Sequence, residues 1–89
     1  MRLWRCFHRS EFLVSLTSID DVRQFVKAAT HCACDVDVLS GRYVVDAKSI
    51  MGLFSLDLSQ PVQVKVHGSD ADRAAFEQSV AAFEVKEEQ

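Results

Sequence analysis

The chain has 89 residues, 48% of them hydrophobic, with three glycines and one proline. That length holds one small domain, 1–89, and the apolar fraction suits a packed fold rather than a disordered chain. A net charge of -3 gives no general case for nucleic acid. No apolar run approaches the roughly 18 residues of a membrane span, and three cysteines do not make the paired framework of a secreted miniprotein, so a cytoplasmic protein with reduced thiols is expected.

The opening MRLWRCFHRS sets Arg2, Arg5 and Arg9 among Leu3, Trp4 and Phe7. It lacks the unbroken apolar stretch and small-residue cleavage site of a signal peptide. Residues 1–10 read as a lead-in to the first strand or an extension beside it; a basic aromatic arm for a membrane or a partner is the alternative. Glu11 to Leu16 alternates Phe12, Val14 and Leu16 against Leu13 and Ser15, the period of a strand. A helix follows. Ser18 is its N-cap, Asp21 three positions on completes a capping box, and Ile19, Val22, Phe25, Val26 and Ala29 recur at helical spacing. Asp20 and Asp21 fall in the first turn, where the helix dipole favours negative charge.

Cys34, Val36 and Val38 then alternate with Asp35 and Asp37, Ser40-Gly41 breaks the run, and Tyr43-Val44-Val45 resumes it, which reads as a hairpin. A short helix from Ser49 to about Leu56 carries Ile50, Leu53 and Leu56 on one face, with Met51 pointing elsewhere. Gly52 costs about 1 kcal/mol of helix propensity, which suggests a close backbone approach or a partner's. Pro61 opens a strand with Val62, Val64 and Val66 inward and Gln63, Lys65 and His67 outward; proline is tolerated at that first position. Ser69 and Asp72 form a second capping box before a last helix with Phe76, Val80 and Phe83 on one face and a charged, fraying end. The order is βαββαβα. A four-stranded antiparallel sheet covered on one face by three helices, an α+β open-faced sandwich, buries these stripes.

The chemistry-bearing residues are few. His31-Cys32-Ala33-Cys34 gathers two thiols and an imidazole, but zinc sites use wider spacing and a second ligand pair. Its cysteines read first as small buried hydrophobes, with metal or redox chemistry the alternative, and His31 as a partner for the helix C-terminus. Asp35, Asp37 and Asp46 read as exposed acids and form no recognisable acid/base pair. No metal and no cofactor are expected. Ser49 has two physical roles: a cap on the first turn, or a phosphorylation site that brings nearly two negative charges to a helix start beside Lys48.

Asp46 to Gly68, DAKSIMGLFSLDLSQPVQVKVHG, resembles the second half of HPr, the small histidine-containing phosphocarrier of the bacterial sugar phosphotransferase system (PTS). Lys48, Ser49, Ile50, Met51 and Gly52 match its Lys-Ser-Ile-Met-Gly signature, and the likeness runs from about Thr17 to Phe83. The resemblance implies regulatory phosphorylation at Ser49 and a partner-binding surface of Lys48, Ile50, Met51, Gly52 and Leu53. It implies protein partners, an HPr-type kinase or a transcriptional regulator; from charge and hydropathy, neither nucleic acid nor membrane is expected as a partner.

The family's carrier motif, Gly-x-His-Ala-Arg-Pro-Ala, falls on Leu16 to Val22. Aligned without gaps, Ser18 occupies the histidine position, Asp20 the arginine position and Asp21 the proline position. A serine phosphate ester is a poor phosphoryl donor, and two carboxylates repel an incoming phosphoryl group. The expectation is therefore a non-enzymatic HPr-like regulator or adaptor with the serine and without the carrier histidine. A divergent phosphocarrier, or an HPr-fold binding module with neither switch, is the alternative.

Overall fold

A computed structural model describes residues 11–85; the N-terminal segment 1–10 and the chain end beyond Val85, with the readings attached to them, lie outside these. The elements are β1 (Glu11–Val14), α1 (Ile19–His31), β2 (Asp35–Ser40), β3 (Tyr43–Asp46), α2 (Ile50–Phe54), β4 (Val62–His67), α3 (Asp70–Ser79) and β5 (Glu84–Val85). The strands form one antiparallel sheet in the order β3-β2-β4-β1-β5.

Strand period decides which face is covered. Val36 and Val38 on β2, Val62, Val64 and Val66 on β4, and Val14 at the end of β1 are buried, and Val22, Phe25, Ala29, Leu53, Phe76 and Val80 pack on them from the helical side. Their neighbours Leu13, Asp37, Leu39, Gln63 and Lys65 stand on the open face and remain partly exposed. Leu16 lies beyond the end of β1 yet keeps the strand's alternation and is buried. Between β2 and β3 the register pairs Ser40 with Tyr43, so the loop is Gly41-Arg42, and Gly41 takes a φ of 60°, which a two-residue hairpin loop asks of its first residue.

The expected open-faced sandwich is present, with one addition. The last helix ends at Ser79, a 3-10 turn at Ala81–Phe83 swings the chain back, and Glu84–Val85 adds a fifth strand beside β1. The bond from Ser15 N–H to the Phe83 carbonyl, 2.8 Å, begins that pairing. Phe83 therefore reaches the core through the turn and not along the helix face. Among the described residues no helix is long and apolar enough to cross a membrane.

Candidate functional site

Two helix starts carry the candidate residues. At the first, Ser18 is extended (φ -137°, ψ 163°) and its Oγ accepts the Asp21 N–H at 3.0 Å, as a capping serine does. The Asp21 carboxylate reaches further back than a simple capping box predicts. Its Oδ2 accepts both the backbone N–H and the hydroxyl of Thr17, each at 3.1 Å. The Thr17 N–H bond, followed by the hydroxyls of Thr17 and Ser18, lowers the Asp21 pKa below its ordinary 3.8 against a smaller opposing effect of burial. Asp21 is thus an anion at neutral pH, seated in the donors of this turn, with Asp20 exposed beside it and bonded to Gln24 at 2.7 Å.

The sign of that shift fixes a pH dependence. A carboxyl whose folded pKa is depressed contributes stability above its unfolded value and loses it as pH falls through the folded one. Asp21→Asn is expected to lower the melting temperature at neutral pH, with the gap to the parent narrowing as pH falls below 3.8. A gap that stays constant into acid would assign the loss to something other than the carboxylate charge.

At the second start, Ser49 is exposed and caps α2, its Oγ accepting the Gly52 N–H at 3.1 Å. The approach is fixed from before: Asp46 accepts the Lys48 N–H on its side chain and the Ser49 N–H on its carbonyl, both at 2.9 Å. At the other end Ser55 Oγ donates to the Gly52 carbonyl at 2.5 Å. A Cβ on Gly52 would stand 3.1 Å from Ser49 Oγ and 3.3 Å from Val45 Cβ. Close approach to β3 and to the capping hydroxyl therefore explains this glycine.

The five residues expected to bind partners separate on inspection. Lys48 and Met51 are exposed, Met51 by 76%. Ile50 is half-buried against the core, Gly52 faces β3, and Leu53 is 0% exposed. Leu53 is a core anchor and not a contact residue, because one turn of helix on a sheet must put one side inward.

Sequence reasoning missed Phe54, which is 43% exposed, and took Ile19 for a core residue although it is 66% exposed. Both line a shallow depression of about 380 Å³ that also includes Ser18, Leu58 and Ser59, so the start of α1 and the end of α2 share one surface. Ile19 fits the helical stripe by spacing, but as the first residue of α1 it faces this depression.

The remaining candidates lie elsewhere. A His31 ring nitrogen meets the Lys27 carbonyl at 2.8 Å, at the opposite end of α1 from Ser18. His67 pairs with Asp37 at 2.8 Å on the sheet's open face, as their outward registers require. Asp35 and Asp46 are exposed.

Comparison with known proteins agrees with this architecture. The family model described as PTS HPr component phosphorylation site matches residues 22–84. No curated protein sequence matches the chain. Among solved structures, HPr-C-His from Thermoanaerobacter tengcongensis is similar with a TM-score of 0.68 and 24% identity, over 81% of this chain and 86% of that one. A phosphocarrier protein HPr from Bacillus anthracis str. Ames is similar with a TM-score of 0.62 and 26% identity, over 82% and 94%. The chain belongs to the HPr family of the PTS.

Proposed function

We propose that this HPr-family chain is a non-catalytic regulator or adaptor, phosphorylated on Ser49 and lacking the phosphocarrier histidine. The observation that carries this reading is the start of α1. A phosphocarrier needs a nucleophilic imidazole there and free N–H donors to hold the transferred phosphoryl group. Here Ser18 stands at that place as a cap, and Asp21 supplies its own anion to the Thr17 donors. The family match starting at Val22, beyond Ser18 and Asp21, supports the same view.

Ser49, by contrast, is exposed, and its neighbours Lys48 and Met51 are exposed with it. A phosphate on its exposed Oγ meets solvent, with the exposed Lys48 next to it in the chain. A protein partner, a kinase of the HPr type or a regulator that reads phosphoserine, then finds charge beside the adaptable thioether of Met51. The cytoplasm is where such a kinase and its ATP are found.

Phosphosite mapping by mass spectrometry after two parallel incubations tests this. With an HPr kinase and ATP, phosphate is expected on Ser49; with enzyme I and phosphoenolpyruvate, none on any histidine. Ser49→Ala is expected to lose the phosphate and, with its cap gone, about 1 kcal/mol of stability. A phosphohistidine in the second incubation restores the carrier reading, and an unmodified Ser49 in the first reduces this serine to a cap.

A further inference from the structure

At the far end of α1 from Ser18, a groove of about 710 Å³ runs between α1 and α3, lined by Lys27, Ala28, His31, Cys32, Asp72 and Phe76 among others. Cys32 and Cys34 are both free, and their sulfurs lie 3.2 Å apart. Cys32 forms part of the groove wall. Cys34 is wedged behind it: a Cβ on Gly68 would stand 2.8 Å from its sulfur, and Asp72 packs on the same glycine. Burial above all, then the hydrogen bond to Cys32 and the charges of Cys32 and Asp72, push the Cys34 thiol up to about 11. Cys34 therefore keeps its proton at neutral pH, with its sulfur in hydrogen-bond contact with that of Cys32. Two thiols fall short of the four ligands of a structural zinc site, and among the described residues no group of three or more His, Cys, Asp or Glu side chains is placed to hold a metal ion.

We propose that Cys32 and Cys34 form a thiol–disulfide exchange site, which takes a low-molecular-weight disulfide from the α1–α3 groove and closes into an intramolecular disulfide. In the first step the Cys32 thiolate attacks one sulfur of the incoming disulfide, the S–S bond breaks, and one thiolate leaves. Cys34 then gives up its proton and attacks the Cys32 sulfur, and the second thiolate departs. The protein dithiol is oxidised by two electrons, the small disulfide is reduced to two thiols, and the protons released from the two cysteines balance those thiols. Proximity favours the second step, since the sulfurs are already in contact. The raised thiol of Cys34 slows that step, and the mixed disulfide on Cys32 is the intermediate through which closure passes. Lys27 on the groove wall suits a disulfide that carries carboxylates, with Asp72 setting the opposite bias.

The test incubates the full-length protein with oxidised glutathione, blocks free thiols with iodoacetamide and maps tryptic peptides. Cleavage after Lys27 and Arg42 isolates Ala28–Arg42, which holds both thiols, while Cys6 falls in Cys6–Arg9. The expected product is an Ala28–Arg42 peptide lighter by two hydrogen atoms and unlabelled. Cys34→Ser, confirmed as folded by its melting curve, is expected to stop at a glutathione adduct on Cys32. Ala75 also lines the groove, and Ala75→Trp, which fills it, is expected to slow closure by about tenfold, because access limits exchange. Full alkylation of both thiols, a stable adduct on Cys34, or a cross-link to the Cys6 peptide would overturn the proposal. Closure at an unchanged rate in Ala75→Trp would remove the groove from it.

Discussion

Replacing Phe25 with alanine is expected to lower the unfolding free energy by about 3–5 kcal/mol, the range for emptying a buried aromatic site. Phe25 is 0% exposed, and its ring meets Phe76 edge-on at 5.6 Å and 75°. Phe76 in turn tilts against Phe12 with ring centroids 6.3 Å apart. These three rings tie α1, α3 and β1 together on the covered side of the sheet. Removing the Phe25 ring takes away the burial of that side chain and the edge-to-face pairing, and leaves a space that the rigid sheet cannot collapse into. Domains of this size hold on the order of 5–15 kcal/mol in total, so the loss is a large share. The urea midpoint is expected to drop by about 2 M with an unchanged slope. Ile19→Ala is the control: the same helix, but 66% exposed, with an expected change within about 0.5 kcal/mol. Equal effects at the two positions would mean that the first turn of α1 is packed in solution.

The contrast between Ile19 and Phe25 also marks what the sequence makes legible. Period 3.6 places Ile19, Val22, Phe25 and Ala29 on one side of α1, but periodicity says which residues share a face and nothing of how far the sheet extends beneath them. The same limit explains the end of α3. Phe76, Val80 and Phe83 are spaced as one helical stripe, yet Val80 N–H divides between the Phe76 and Glu77 carbonyls at 3.2 and 3.3 Å, and Phe83 N–H returns to Val80 at 2.9 Å. That tightening turns the chain toward β1, where Glu84 meets Val14 and Val85 meets Leu13, a pairing between the two ends of the chain that leaves no local mark. Caps were legible because a serine before an apolar run acts locally: Ser18, Ser49 and Ser69 all cap, Ser18 and Ser69 with an acid three positions on. The expected Ser18 box does not close as the Ser69 box does: Asp21 takes the N–H and hydroxyl of Thr17 rather than the N–H of Ser18, which needed coordinates. So did the meeting of Cys32 and Cys34, since their spacing leaves the bend between them undetermined.

Leu53→Ala is expected to cost about 2–5 kcal/mol, and to act on one element first. Helix α2 spans five residues, far below the roughly 12–15 at which an isolated helix begins to hold in water. It persists through tertiary packing, of which Leu53, at 0% exposure, is the central contact, with the Ser49 cap adding about 1 kcal/mol. Without the leucine side chain, the Leu53 and Leu56 amides are expected to exchange with solvent through a local opening, at a lower free energy than the β4 amides report. Met51→Ala is the matched comparison on the same turn. Its side chain is 76% exposed, so stability is expected to change within about 0.5 kcal/mol, while a partner docking beside Ser49 loses its apolar contact and binds more weakly. Hydrogen exchange of the two variants separates the roles. If Leu53→Ala left α2 as protected as β4, the helix would be held by something other than its buried face. If Met51→Ala opened α2 as Leu53→Ala does, Met51 would belong to the core, and the surface offered beside Ser49 would shrink to Lys48 and Phe54.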